Sequence, residues 1–293
     1  LKNNMILVVN PISGGLDKAE LVDAVTEFAE NENVNLIIYN TTGDSDIEKI
    51  KVLNTTHNPK RILVAGGDGT IKMVAEATEH TDVIIGILPA GSANGLAVDL
   101  NLPKTLEENL LIAFKNHYME MDMISINGKK SIHLSDLGLN AEMIKNYENS
   151  TIRGKLGYAL QTVNTLIDLD DPFVVTITGD FPTLECEARM IVVANSQKYG
   201  TGVSINPNGI MDDGKFELVV LKNMDLLVLG KIISGNMPLD SNDVEIISTD
   251  KALVTTNVPV SFQIDGEYCG AENKLNIEIL PKQLKVAIPK TVN

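Results

Sequence analysis

Basic residues are in short supply. Lysine and arginine number 24 against 39 aspartates and glutamates, for a formal net charge of −15 at pH 7. Nucleic-acid phosphates demand a basic surface, so the balance argues against a protein that lives on DNA or RNA. It argues equally against stable attachment to an anionic membrane by charge alone. Cysteine is scarce too. Cys186 and Cys269 show neither CxxC nor zinc-ligand spacing and read as two ordinary thiols in a reducing compartment. No apolar run is long enough to span a bilayer. The opening residues, Leu1-Lys2-Asn3-Asn4-Met5, carry no secretory apolar stretch with a small-residue cleavage site. The expectation is a soluble, cytoplasmic protein. Also missing are GxGxxG and GxxxxGK[ST], so neither a dinucleotide fingerprint nor a P-loop is present.

What remains is ample for a folded core. The chain has 293 residues, and at roughly 150 residues per domain that predicts two domains. Hydrophobic residues at 44% and charged residues at 22% are the usual globular mix. The first ~120 residues alternate apolar strands with amphipathic helices. Strands are expected at Met5–Val9, Val34–Tyr39, Arg61–Ala65 and Val83–Leu88. A helix with Leu21, Val22, Val25, Phe28 and Ala29 on one face follows the first, Ile47–Leu53 the second, and Thr70–Glu79 the third. Such continuous apolar strands imply a parallel sheet covered on both faces. Ligands of these sheets sit outside the carboxyl ends of the strands.

From about Met121 onward β-type segments dominate. They are Met123–Ile126, Ile132–Leu137, Phe173–Thr178, Glu187–Ala194, Phe216–Leu221, Val244–Thr249, Ala252–Thr255, Val260–Ile264 and Leu275–Ile279. One helix interrupts, near Leu156–Leu169. Short strands with turn signals suggest an antiparallel sandwich or barrel-like second domain. The boundaries are residues 1–121 and 122–283, and a final strand near Leu284–Ile288 could return to either domain.

The strongest local signal is Gly66-Gly67-Asp68-Gly69-Thr70 between a strand and a helix. Glycines let a phosphate approach the backbone, and N–H groups at a helix start face the anion. Asp68 repels phosphate, so it makes sense as a Mg²⁺ holder or proton acceptor, or as a helix cap. Asn10-Pro11-Ile12-Ser13-Gly14 and Pro89-Ala90-Gly91-Ser92-Ala93-Asn94 end two further strands, and Thr41-Thr42-Gly43 ends another. Together these loops share one sheet edge, which suits one nucleotide spread across it.

These pieces, with Asp122, Gly138, Lys155-Leu156-Gly157-Tyr158, Asp212-Asp213-Gly214 and Asp265-Gly266-Glu267, come in the order found in the bacterial diacylglycerol kinase and lipid kinase family, related to sphingosine kinases. The chain resembles that family over nearly its whole length. The resemblance implies an α/β nucleotide-binding domain with a parallel, Rossmann-like sheet of the NAD kinase and diacylglycerol kinase type, followed by a mainly antiparallel β-sandwich that takes the lipid. It implies ATP as phosphate donor, Mg²⁺, a lipid hydroxyl as acceptor and transient contact with the membrane surface. A homodimer is an expectation of the same kind.

By resemblance, Asn10, Thr41, Gly66, Gly67, Asp68, Gly69, Thr70, Ile71, Lys72, Gly91, Ser92 and Asn94 contact the nucleotide. The resemblance implies Glu267 as the general base, assisted by Asp122. Asp213, with backbone carbonyls of Ile210 and Lys215, holds a structural Mg²⁺ through hard oxygens. Read from the residues alone, Asp265-Gly266-Glu267 is equally a hairpin turn with a solvated glutamate, and Asp212-Asp213-Gly214 an acidic turn. Whether Asp68 or Glu267 is the base stays open at this level. Three positions depart from the family pattern: Ser92 stands for the usual Thr, and Lys72-Met73 for a frequent Asn-Glu. Met143 and Met190 read as core filler; His57, His80, His117 and His133 show no metal spacing. The rival functions are a kinase of a soluble acceptor such as NAD or a polyol, and a nucleotide-binding regulator without turnover.

Overall fold

The computed structural model describes residues 3–290 except 16, 93, 116, 139–140, 142–170, 200–202, 225, 236 and 238–239. The expected helix near Leu156–Leu169, the Lys155–Tyr158 motif and Met143 lie outside the described residues. The chain forms two compact units, Leu1–Met121 with Lys282–Asn293, and Asp122–Pro281.

The first unit alternates strand and helix: β1 (Asn4–Val9), α1 (Ala19–Asn31), β2 (Asn35–Asn40), α2 (Asp46–His57), β3 (Arg61–Gly66), α3 (Asp68–Ala77), β4 (Ile84–Pro89), α4 (Gly95–Asp99) and α5 (Leu106–Phe114). β1 pairs in parallel with both β2 and β3, and β3 with β4. β3 is buried along its whole length. Ile6, Leu7, Ile62 and Leu63 are fully buried, each contributing on the order of 2 kcal/mol of apolar burial. α5 lies on β4 where Gly86 leaves room: a Cβ there would sit 2.9 Å from Ala113 Cβ. Phe114 of α5 then meets Phe28 of α1 at 4.7 Å between ring centres.

The second unit is built mainly from antiparallel strands. Its elements are β5 (Tyr118–Ile126, entering from the first unit), β6 (Lys129–Ser131), β7 (Leu134–Gly138), β8 (Phe173–Gly179), β9 (Phe181–Ala188), β10 (Met190–Ala194), β11 (Phe216–Leu221), α6 (Leu226–Ile233), β12 (Val244–Thr249), β13 (Lys251–Ile264) and β14 (Glu267–Ala287). The order β12-β11-β10-β7-β13 is antiparallel throughout, and β8 pairs with both β13 and β9. β10 is buried on both faces, and its residues alternate between two cores. Ile191 and Val193 join Phe173, Val254 and Phe262. Met190, Val192 and Ala194 join Val228 and Ile232 of α6.

Several expectations are corrected. Ala252–Thr255 and Val260–Ile264 form one strand, β13, because the gap between them, which holds Pro259, is absorbed as a register shift between Thr255 and Val260. A bulge tolerates a proline that a regular ladder would not. Leu275–Ile279 and Leu284–Ile288 are likewise one strand. β14 leaves its antiparallel pairing with β13 and, past Pro281, runs parallel to β4 through Lys285↔Ile84 and Val286↔Ile85. Glu187–Ala194 divides at Arg189 into the end of β9 and β10. α4, α5 and α6 were not anticipated. Among the described residues no helix is long and apolar enough to cross a membrane. Cys186 and Cys269 are both free thiols.

Candidate active site

The sheet order of the first unit, β4-β3-β1-β2, places the reversal of strand order between β1 and β3. From β1 the chain steps outward to β2; from β3 it steps outward the other way to β4. A ligand of an open parallel sheet binds at such a point, beyond the carboxyl ends of the strands. The loops that follow β1 and β3 are Asn10–Gly15 and the Gly66–Thr70 turn.

These loops are tied to each other and to the loop after β4. Asn10 Nδ2 donates to Thr70 Oγ1 at 3.1 Å. Ser13 Oγ donates to the Ala90 carbonyl at 3.0 Å. The Ala90 amide donates to the Gly66 carbonyl at 2.9 Å, and Thr41 N to the Val9 carbonyl at 2.8 Å. Gly91 and Asn94 close their own turn through Gly91 N to Asn94 Oδ1 at 2.9 Å and Asn94 Nδ2 to Gly91 O at 3.1 Å. Gly14 adopts φ +65°, and a Cβ there would lie 2.7 Å from the Ala90 carbonyl oxygen. At Gly66 a Cβ would meet Thr70 Oγ1 at 2.5 Å. Only glycine permits the two turns to close this tightly. Lys18, 6% exposed, donates from Nζ to the Ser13 carbonyl at 2.7 Å. A groove of about 460 Å³ beside it is lined by Val9, Pro11, Lys18, Val22, Ile38 and Asn40 among others.

Asp68 caps a helix, but not its own. α3 has Gly67 as its N-cap, with no side-chain cap. The Asp68 carboxylate accepts from Gly95 N at 2.7 Å and Leu96 N at 3.1 Å, at the start of α4. It thus joins the glycine turn to the fourth-strand loop, and both its oxygens are engaged in doing so. Gly69 and Ser92 are exposed, Gly67 and Lys72 half-buried, and Ile71 is buried in the α3 core face.

The loop after β2 is held by Asp46, which is 4% exposed. It accepts from Thr42 N at 3.0 Å, Gly43 N at 2.7 Å and the Tyr39 hydroxyl. Burial alone would raise the Asp46 carboxyl; the hydrogen bonds from Tyr39, Thr42 and Gly43 outweigh it and bring it to about 2. Tyr39 is pushed up to about 12 by burial and by the neighbouring carboxylate.

In the second unit Asp122 is fully buried on β5. Its Oδ2 accepts from Gly214 N at 2.7 Å, and its amide donates to the Met211 carbonyl at 2.8 Å. The Asn195 amide group donates to its carbonyl at 2.9 Å. Asp122 therefore meets the Ile210–Lys215 turn directly. Asp213 is exposed, and its Oδ1 accepts from Lys215 N at 3.0 Å. Among the described residues no group of three or more His, Cys, Asp or Glu gathers as a metal cage. The turn offers the carboxylates of Asp212 and Asp213 and main-chain carbonyls, all hard oxygens, which is the donor type Mg²⁺ takes while keeping several waters.

Glu267 is exposed and opens β14. It follows a two-residue hairpin in which Asp265 (φ +49°) and Gly266 (φ +87°) both lie at positive φ and Ile264 pairs with Glu267. That is the type I′ geometry an Asp-Gly pair favours. Asp265 accepts from Ser131 Oγ at 2.8 Å, Ile132 N at 3.1 Å and His133 N at 3.0 Å. Gln263 Oε1 accepts from Gly266 N at 2.7 Å while its Nε2 donates to Asp136 Oδ2.

Within the first unit the structure brings Asn10, Gly66, Asp68, Thr70, Gly91 and Asn94 into one linked rim. Within the second it joins Asp122 to the Asp213 turn and seats Glu267 on its own braced hairpin. Sequence reasoning missed Lys18, Asp46, Gln263 and Asp136. The Asp44/Ser45/Asp46 cluster carried a helix-start signal; the other three carried none. A further groove of about 780 Å³ in the second unit, along Asn127, Thr178, Asp180, Lys251, Asn276 and Glu278 among others, includes none of the candidate residues.

A parallel sheet with glycine turns knitted at its switch point, continued by a mainly antiparallel β unit, is a two-domain architecture, and the family matches place it in the kinase class of phosphotransferases. Residues 4–126 match the diacylglycerol kinase catalytic domain. Residues 135–288 match the YegS C-terminal NAD kinase beta sandwich-like domain. The chain is 27% identical over 300 residues to a candidate lipid kinase of Staphylococcus haemolyticus, covering 97% of this chain and 96% of that protein. It is 26% identical over 236 residues to the "Probable lipid kinase YegS" of Escherichia coli, covering 78% of each. A solved structure of a candidate diacylglycerol kinase from Bacillus anthracis superposes with a TM-score of 0.80 at 25% identity, over 98% of this chain and 97% of that one. The chain belongs to the diacylglycerol kinase family of lipid kinases.

Proposed function

We propose that this protein transfers the γ-phosphate of ATP to a hydroxyl of a diacylglycerol-like lipid, met transiently at a membrane surface. The observation that carries the reading is the linked rim at the β1/β3 switch point. There Asn10, Thr70, Ser13 and Asp68 hold glycine turns whose main-chain N–H groups suit a triphosphate. Thr41, Lys72 and Ser92 complete the nucleotide-facing set in this reading, while Ile71, expected there, is buried in the core and bonds its amide to the Gly67 carbonyl. Family membership supports ATP as the donor.

The chemistry is phosphoryl transfer. The lipid oxygen forms a bond to the γ-phosphorus, the bond to the bridging β–γ oxygen breaks, and ADP leaves. The hydroxyl proton passes to a carboxylate base, assigned to Glu267. Positioning contributes most of the rate. When bound, Mg²⁺ would supply charge neutralisation at the phosphate oxygens. Asp213, with the carbonyls of Ile210 and Lys215, would hold the structural ion. Asp122 orients that turn through Gly214, and Asp68 orients the glycine rim through α4.

The test supplies γ-labelled ATP and Mg²⁺ with two acceptors in parallel, diacylglycerol in mixed micelles and NAD in solution. Label in the organic phase that is lost in Glu267→Gln is the expected result. Label in NAD alone would replace the lipid reading with the soluble-acceptor one. No transfer to either, with ATP bound, would leave a nucleotide-binding regulator.

A further inference from the structure

Glu267 is exposed at the tip of a hairpin, a poor place for a side chain that must meet a reacting hydroxyl within a fraction of an ångström. A two-residue turn is held by few bonds of its own, and loop tips are where main-chain order is usually lowest. This hairpin is different, because the first of its two central residues is anchored to a separate stretch of chain. The Asp265 carboxylate takes three donors from Ser131, Ile132 and His133, and Asp265 N donates to the Leu134 carbonyl at 3.1 Å. The anchor itself is well buried. Ser131 and Ile132 are fully buried and His133 is 6% exposed, and Ser135 Oγ donates to Ser131 Oγ at 2.9 Å.

The second brace comes from below the turn. Gln263, 1% exposed, accepts from Gly266 N and donates to the fully buried Asp136. Thus Asp265 is fixed directly to the β6–β7 segment, and Gly266 is held by Gln263 of its own hairpin, whose amide group in turn reaches Asp136 of β7. Charge-assisted bonds to a carboxylate are about twice as strong as neutral ones. Three of them on one turn residue exceed what is needed to close an Asp-Gly hairpin, which forms on its own geometry.

We infer that Asp265 is a positioning residue for the phosphoryl-transfer step: by locking its turn to Ser131–His133, with Gln263 and Asp136 as a second brace, it holds Glu267 in the orientation the acceptor hydroxyl requires. The inference rests on the reading of Glu267 as the base. It adds that the base's effectiveness is set by residues more than a hundred positions earlier in the chain.

The experiment compares the full chain with Asp265→Asn, Glu267→Gln and the double variant. Asparagine tolerates positive φ, so the turn can still form while the charge is lost. Kinetics with labelled ATP and diacylglycerol micelles are paired with amide exchange at Ile132, His133 and Gly266. For Asp265→Asn we expect kcat to fall by about ten- to a hundredfold while KM for ATP stays within about twofold. The three amides exchange faster, and the double variant is no slower than Glu267→Gln alone, because the first residue acts through the second. Parent-like kcat, unchanged exchange, or a double variant whose loss is the product of the two single losses overturns the inference. Parent-like turnover in Glu267→Gln instead removes the base assignment and with it the positioning role, whatever Asp265→Asn does. If Asp265→Asn fails to fold, Ser131→Ala removes one donor only and is expected to show a smaller loss of the same kind.

Discussion

Asp122 Oδ2 accepts the Gly214 amide at 2.7 Å, across 92 positions of sequence. The bond fixes the acidic turn of the second unit to a strand whose aspartate is fully buried. A carboxylate so placed has a structural job before it has any chemical one. Removing it leaves a donor without its partner inside the fold.

Asp122→Ala is therefore expected to lower unfolding stability by about 1–3 kcal/mol, the usual effect of orphaning a buried hydrogen-bond partner. Urea unfolding followed by circular dichroism reads the change. A midpoint equal to the parent's would show that the turn is held by other means.

Asp68→Ala releases Gly95 N and Leu96 N together. The cost is that of losing a helix cap, about 1 kcal/mol. In calorimetry, binding of a non-hydrolysable ATP analogue should weaken, because the glycine turn loses its tie to the fourth-strand loop. Asp68→Asn keeps an acceptor and should fall between. Equal affinities in all three proteins would detach Asp68 from the nucleotide site.

Gly14→Ala forces a side chain into a left-handed turn facing the Ala90 carbonyl. Left-handed backbone alone costs about 1–2 kcal/mol in a non-glycine residue, and the close contact adds to it. A lower melting temperature together with weaker nucleotide binding is the expected pair of results.

The Asp46–Tyr39 pair sets two limits on pH stability. Asp46 has a folded pKa near 2, below its ordinary 3.8. Its contribution is present above that ordinary value and disappears as pH falls through about 2. Tyr39 is raised from 10.0 to about 12, so its contribution is full below pH 10 and is lost as pH rises through 12. Absorbance of tyrosinate should show one of the six tyrosines ionising late, and Tyr39→Phe should abolish that late step. Asp46→Asn should flatten the acid limb of the unfolding curve.

The first unit was largely readable because its signals are local. β3 is an unbroken apolar run ending in glycines, and burial on both faces demands that pattern. The Asp265-Gly266 turn was readable for the same reason, since two adjacent residues specify it. Its anchors were not: Ser131 and Asp136 are 134 and 127 positions away from their partners, and hydrogen bonds between distant strands leave no periodic trace. α5 did carry a signal, the capping pair Thr105 and Glu108 ahead of an apolar run. α6 is apolar along nearly its whole length, so alternation could not distinguish helix from strand. The sequence reading divided β13 between Thr255 and Val260 and β14 between Ile279 and Leu284; the gaps hold Pro259 and Pro281, residues that long strands accommodate at an irregularity or a change of partner.

β14 opens with Glu267 in the second unit and finishes in the first, where Lys285 pairs with Ile84 and its ammonium meets Asp82 at 2.6 Å. During synthesis the ribosome delivers β1 to β4 long before that last strand. The nascent sheet must wait with an open flank beside β4 while some two hundred further residues are made. Early domains usually fold as they emerge; this one is sealed only by a segment made after the whole of the second unit.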